Sequence, residues 1–440
     1  MQTRRDHLHA YRFATGRLAS ALLTGDIRTG AGPLQRARLG SVFGIALAAL
    51  LVGGFAVYGL LKPQPGDWRT AGPFVAEQES GTRYLYTGGV LHPVLNYASA
   101  LLALGKPAQP HQVPRSELNG VPRGTALGIA GAPDAIPSAE DLLTGAWSQC
   151  LHPRRPGDLV IDFQPAGHAA KTVPADAHVL VVDPHGTRYL VLRDTKYRVP
   201  DRATLVALGL DTEDPVTVPA AWLADLPTGP ALTPATVPGG GSPGPRVAGR
   251  AAHTRDLFRT SVGGSVHFYV LRGDGVAPVT ATEAALLSAG HGGPREVTPY
   301  AIAALPESAD RSLLTRLPDV VGTRDAGTGA GALCLRQRMR GSTPDSVLVT
   351  ESGPAAADGS SILLPAGSGV LATPPHQGDA TSAQLYLITD QGRRYPLADD
   401  RAVTALGYTA AAARTLPRAL LESIPAGPAL GGTGVTGGQR

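Results

Sequence analysis

Hydrophobicity along the chain changes character twice. Residues 1–38 mix Arg, Ala, Leu and polar side chains; residues 39–61 carry no charge; and beyond residue 70 short apolar runs alternate with Gly- and Pro-rich turns. The uncharged stretch reads LGSVFGIALAALLVGGFAVYGLL. As a helix rising ~1.5 Å per residue it crosses a ~30 Å hydrocarbon core with some tilt. It has no polar face, which argues against a soluble core helix. A cleaved signal peptide remains the alternative, but it would have a shorter apolar region and a small-residue cleavage pattern close behind it. Tyr58 and Trp68 are expected near the outer boundary, where amphipathic rings are favoured.

Positive charge orients the span. Arg4, Arg5, Arg12, Arg17, Arg28, Arg36 and Arg38 precede it, and only Lys62 and Arg69 follow closely. The arm is therefore expected in the cytoplasm and the rest outside it. Within the arm, Leu8, Tyr11, Leu18 and Leu22, with Ala14 and Ala21, fall near one face of a helix. Arg4, Arg5, Arg12 and Arg17 are expected to take much of the remainder. Such a helix would lie on an anionic leaflet or dock to a partner, with Phe13 in the same surface. The alternative is a solvated basic arm that only enforces topology.

Past residue 70 the chain repeats itself. Gly81-Thr-Arg-Tyr84, Gly186-Thr-Arg-Tyr189 and Gly392-Arg-Arg-Tyr395 each begin a block, and His267-Phe-Tyr-Val-Leu271 begins a worn one. Each block continues to a short Ala/Leu run that stops at Gly105, Gly209, Gly290 or Gly407. Val113-Pro114, Val218-Pro219, Thr298-Pro299 and Leu416-Pro417 then follow. The grammar predicts strand, turn, strand, a helix ended by a left-handed glycine, and a second short helix opened by proline. Units this small need something larger to pack on.

Between the blocks lie two segments with one cysteine each, Trp147-Ser-Gln-Cys150-Leu and Gly331-Ala-Leu-Cys334-Leu. Pro93 to Pro278 is an offset of 185 and Cys150 to Cys334 one of 184. A half written twice would bring the cysteines together near a pseudo-twofold axis, and outside the cytoplasm they would bond. Two unpaired core thiols are the alternative. The expected division is a basic arm (1–38), a transmembrane helix (39–61), a juxtamembrane linker (62–76), a first repeat (77–127), a first core segment (128–180), a second repeat (181–232) and a Pro/Gly linker (233–257). Then come a third repeat (258–308), a second core segment (309–385), a fourth repeat (386–430) and a disordered tail (431–440).

Composition narrows the function classes. With 55 Gly and 39 Pro in 440 residues, long helices cannot dominate. A net charge of +4 is too small to point to a nucleic-acid partner. There is no CxxC, no HExxH, no GxSxG and no phosphate loop; Gly105-Lys106 is followed by Pro. Gly327-Thr-Gly-Ala-Gly331 lacks dinucleotide-loop spacing and is read as a loop. No catalytic residue, metal ligand or cofactor site is nominated. The recurring Tyr84, Tyr189 and Tyr395 are read as packing.

The opening Met1-Gln-Thr-Arg-Arg-Asp-His-Leu-His-Ala-Tyr-Arg-Phe13, with Arg17-Leu-Ala-Ser-Ala-Leu-Leu23, the span, and His92-Pro-Val-Leu-Asn-Tyr97 resemble EccB, a membrane component of the type VII secretion apparatus of actinobacteria. The likeness runs over nearly the whole chain. It implies an α+β protein: an N-terminal amphipathic arm and single transmembrane helix, then an elongated pseudo-twofold extracytoplasmic region of four small repeat domains around a central β-rich core. It implies a single-pass protein of the inner (plasma) membrane that scaffolds a secretion complex. The implied partners are an EccC-type membrane ATPase, EccD, EccE and a mycosin protease, with homo-oligomer formation inside the complex. Some family members carry an ATPase designation, for which this sequence offers no nucleotide motif. A cell-wall-binding or anchoring role stays open beside the scaffold.

Overall fold

A computed structural model describes residues 4–24, 33–61, 68–71, 73–152, 155–165, 169–327, 331–352, 361–375 and 384–432. Two helices come first, Arg4–Thr24 and Pro33–Leu61. All later structure is β-rich with short helices. Residues 62–67 of the expected juxtamembrane linker, the middle of the 327–331 loop and the tail from 433 lie outside the described residues.

Four sheets are built alike. In each, the first strand pairs antiparallel with the second, the second with the third, and a short fourth strand returns parallel to the first. The first sheet runs Phe74–Glu77, Arg83–Thr87, Val90–Pro93 and His111–Val113. The second is Ala177–Val182, Arg188–Leu192, Thr195–Val199 and Val216–Thr217. The third is Leu257–Val262, Ser265–Arg272, Gly275–Val279 and Arg295–Glu296, and the fourth Gly369–Thr373, Leu385–Thr389, Arg394–Leu397 and Arg414–Thr415.

A helix links the third strand of each sheet to the fourth. Asn96, Asp201, Thr280 and Asp399 cap these helices, each side chain accepting from the N–H three residues on. Gly105 and Gly209 end two of them at φ 67° and 72°, which a side chain would resist. The second helices follow Pro114, Pro219 and Pro417, which sit just outside them, the first two in extended backbone; Pro299 instead lies within the first turn.

A Pro-x-Gly tail then closes three of the sheets. Gly229 N–H donates to the Lys196 carbonyl at 2.9 Å and Gly427 N–H to Arg394 at 2.8 Å. The tail passes under an aromatic ring. A Cβ on Gly229 would lie 2.2 Å from Tyr197 Cε1, and one on Gly427 2.3 Å from Tyr395 Cε1.

The fifth sheet runs in the order Ile362–Leu363, Leu159–Asp162, Trp147–Leu151, Ala332–Arg340, Thr343–Ser352, Ala169–Thr172. Its two central hairpins come from opposite halves of the chain. Each half also sends a strand across: Ala169–Thr172 pairs with Thr343–Ser352, and Ile362–Leu363 with Leu159–Asp162. The exchange continues outward. Arg324–Asp325 adds to the second sheet beside Ala177, and Leu142 bridges Gly369 of the fourth.

Packing follows the same exchange. Ala98, Leu101 and Leu102 share a core with Leu387, Tyr395, Val403 and Leu406, joining the first and fourth sheets. Leu205 and Leu208 share one with Leu286, joining the second and third. Trp147 and Phe163 pack on Leu416 and Leu420, and Leu333 and Leu335 on Val181 and Trp222, seating two sheets on the central one. Each fully buried Leu, Val or Phe among these contributes about 1.5–3 kcal/mol of transfer free energy.

Three expectations change. The fourth sheet takes its first strand from Gly369–Thr373, which the sequence pattern puts in the second core segment, and the first sheet starts at Phe74 rather than 77. These strands precede the recurrent Gly-x-Arg-Tyr motifs, so the repeat grammar does not reach them. Residues 233–257 are not a loose connection: Ala235, Val237, Val247 and Ala252 are buried against the third sheet. Scattered small apolar residues suffice there without periodicity. Trp68 is buried rather than interfacial, edge-on to Tyr86 at 5.0 Å among Val75, Leu91 and Val113. It ties the chain leaving the long apolar helix to the first sheet.

Candidate functional site

Two regions carry the surfaces and chemistry on which function can act: the N-terminal helices and the joint between the halves.

The arm helix Arg4–Thr24 leaves its apolar side chains uncovered. Leu8 is 53% exposed, Tyr11 71%, Leu18 64% and Leu22 85%. At about 100° per residue these four fall within roughly 80° of arc. Arg5 and Arg12 lie together along one edge of this stripe, beyond Leu8. Arg4 falls inside it, at the N-terminal end, rather than opposite. Phe13 lies on the far side, with the Arg17 guanidinium 5.9 Å from its ring centroid. The polar and apolar faces are thus less cleanly divided than the residue spacing suggests. The stripe has no cover from this chain among the described residues.

The second helix contains one segment apolar and long enough to span a membrane, Gly40–Tyr58, with mean hydropathy 2.2 and none of it buried. Val42, Phe43, Ile45, Leu50 and Phe55 stand outward on all sides. A helix apolar all round and unpacked is what lipid, and not water, accommodates.

At the joint, Cys150 and Cys334 face each other across adjacent antiparallel strands and are bonded, with Cα atoms 4.0 Å apart. Glu351 stands beside them, its Oε2 3.8 Å from the Cys150 sulfur. The two sulfurs and this carboxylate lie within 4.8 Å of one another, a metal-ligand spacing. The sulfurs are spent on each other, however. Glu351 accepts from Ser148 Oγ and Arg336, both at 2.8 Å, and Arg336 also donates to the Pro165 carbonyl. The trio therefore works as a staple.

A second polar network lies beside it. The buried Gln149 amide donates to Gln337 Oε1 at 2.7 Å and to the Asp225 carboxylate. Gln337 donates to Asp225 at 3.2 Å and Ser346 at 2.9 Å, and Trp222 Nε1 donates to the Gln149 carbonyl at 3.2 Å. Burial pushes the Asp225 carboxyl above its ordinary range, against the two amide donors and Lys196. Burial likewise lowers the Lys196 ammonium, which Asp225 opposes. Lys196 donates to the Leu223 carbonyl. These groups fix the second sheet to both central hairpins.

His178 makes a third cross-half link. Its Nδ1 is 2.7 Å from Thr323 Oγ1 and its Nε2 is 3.0 Å from Glu213. Hydroxyl, imidazole and carboxylate in series have the order of a nucleophilic triad. Yet the imidazole is buried, and the Thr323 hydroxyl also donates to the Val320 carbonyl at 2.7 Å. The arrangement holds the segment before Arg324 onto the second sheet.

None of Gln149, Gln337, Asp225, Arg336, Glu351 or His178 stands out in the sequence. The signal available was the cysteine pairing: once Cys150 faces Cys334, Ser148 faces Arg336 and Trp147 faces Gln337.

The geometry has known counterparts. The family model described as type VII secretion system ESX-1, transport TM domain B matches residues 1–435. The ESX-3 secretion system ATPase EccB3 of Mycolicibacterium smegmatis is 29% identical, over 97% of this chain and 89% of that one. The ESX-1 secretion system ATPase EccB1 of Mycobacterium tuberculosis is 30% identical, over 72% of this chain and 68% of that one. Among solved structures, a chain of the intact ESX-5 inner membrane complex superposes with TM-score 0.63 at 24% identity, covering 100% of this chain and 96% of that one. The EccB3 dimer from the ESX-3 core complex gives 0.58 at 26% identity, covering 82% and 99%.

Proposed function

The chain belongs to the EccB family of type VII secretion membrane proteins, and on that footing we propose that it is a structural subunit that scaffolds an inner-membrane secretion complex. The observation that carries this is the combination in one chain of an uncovered arm stripe, an unpacked apolar helix and a cross-stapled body. The first two need partners or lipid, and the third has the rigidity of a frame.

In this reading the arm is cytoplasmic, because Arg4, Arg5, Arg12 and Arg17 precede the span. The body lies outside, where a disulfide persists. The body is read as two copies of repeat–core–repeat, four repeats in all, around the six-stranded sheet. Two equivalent contacts support the duplication: Tyr97 N–H donates to Asp134 at 2.9 Å, and 185 residues on in both partners Thr282 N–H donates to Asp319 at 3.1 Å. The partners we assign are a membrane ATPase of the EccC type, EccD, EccE, a mycosin protease and further copies of this chain. Energy for export is assigned to the ATPase partner, and this chain is read as non-catalytic although its relatives bear the name ATPase.

The test is purification of the full chain from native membranes in mild detergent through a C-terminal tag. Recovery with a large complex that includes a membrane ATPase supports the scaffold. Recovery alone, or with cell-wall fragments, overturns it in favour of a wall-binding role.

A further inference from the structure

The third sheet carries a groove that the scaffold reading does not use. It has a volume of about 970 Å³ and lies between residues 234–241, 253–257 and 291–295. Arg255 and Arg295 both line it. Arg255 Nε and Arg295 Nη2 are buried and have no hydrogen-bond acceptor among the described residues. Buried N–H donors are almost always satisfied, and a guanidinium is the donor best shaped for an oxyanion.

The surroundings hold Arg255 in place. Its Nη1 donates to His291 Nε2 at 2.6 Å, while His291 Nδ1 lies 3.1 Å from the Ala289 carbonyl. With an Nδ1 proton given to that carbonyl, Nε2 is left as the acceptor for the guanidinium. Arg295 stacks over Phe258 at 4.8 Å. One carboxylate lines the groove: Asp256, which accepts from His253 N–H at 2.9 Å and stands 3.9 Å from Arg295 Nη2. Two guanidinium groups therefore face a single carboxylate.

The backbone adds an independent sign. Arg255 has φ 83°, in the left-handed region, where this chain elsewhere mostly has glycine. Strain of this kind persists where the side chain is needed.

We propose that this groove binds an oxyanion, a phosphate or carboxylate group, clamped by Arg255 and Arg295. The ligand would meet the edges of the two guanidinium groups that line the groove. This site stands or falls independently of the scaffold role.

The test is thermal unfolding and calorimetric titration of the purified full chain in detergent. Inorganic phosphate and acetate are added separately, against chloride at equal ionic strength. A saturable rise in Tm with heat of binding is expected for at least one of them, and which one identifies the group. Arg255→Gly separates binding from folding: it relieves the positive φ, so Tm without anion should hold or rise, while the anion response is lost. Arg295→Gln should also lose the response. No saturable response above the chloride control, or a response retained in both variants, overturns the site.

Discussion

Cys150 and Cys334 are joined across the two central strands, 184 residues apart in sequence and directly opposite in register. The bond ties the first half of the chain to the second at the middle of the six-stranded sheet, to which both halves contribute strands. In the unfolded chain it closes a long loop, worth about 5 kcal/mol in the chain-entropy model and less where the denatured state keeps structure. Cys150→Ala/Cys334→Ala should therefore fold, through the strand exchange and buried cores, but unfold at markedly lower denaturant concentration. Equilibrium unfolding followed by tryptophan fluorescence measures this. An unchanged midpoint contradicts it.

Gly427 lies against the face of the buried Tyr395 ring. Gly427→Ala places a methyl 2.3 Å from Tyr395 Cε1, so ring or tail must move. A loss of about 1–3 kcal/mol is expected, as for other overpacked sites. Gly145→Ala, with nothing within 4 Å, should cost less. Comparing the unfolding midpoints of the two variants decides the matter.

Asp225 gives the body a pH signature. Burial raises its folded-state pKa above the ordinary 3.8, so the folded state binds the proton more tightly than the unfolded state does. Its contribution is fully present below the unfolded pKa and is lost as pH rises through the folded value. At neutral pH the buried charge is a cost, offset by the Gln149 and Gln337 donors. Asp225→Asn keeps an acceptor and removes the charge. It should leave stability at pH 7 equal or higher and flatten the decline in stability from about pH 3.8 upward. A variant as steep as the wild type refutes the assignment.

The features legible in the sequence were those with long apolar runs or recurring motifs. Leu39 to Leu61 announced the span, and Gly81-Thr-Arg-Tyr84 with its echoes announced the repeating units. The matched offsets of Pro93–Pro278 and Cys150–Cys334 announced the bond. What escaped was carried by two-residue strands or isolated side chains. Ile362–Leu363 and Arg324–Asp325 cross between halves with no periodicity to mark them, because two residues cannot show one. Val237 and Val247 sit in Pro/Gly-rich chain that reads as a spacer, and their burial depends on the third sheet beside them. Arg255 and Arg295 are 40 residues apart and meet one groove only after folding.

The arm and the complex offer the most direct test of the scaffold. Leu8→Glu/Leu18→Glu charges the uncovered stripe at two exposed positions of the arm, so the body's unfolding midpoint should not move. The decisive measurement is native-gel electrophoresis of detergent-extracted membranes, probing the C-terminally tagged chain. The account predicts that the wild type migrates in a large complex and that the variant, at equal membrane abundance, migrates largely apart from it. A variant that enters the complex as fully as the wild type would contradict it.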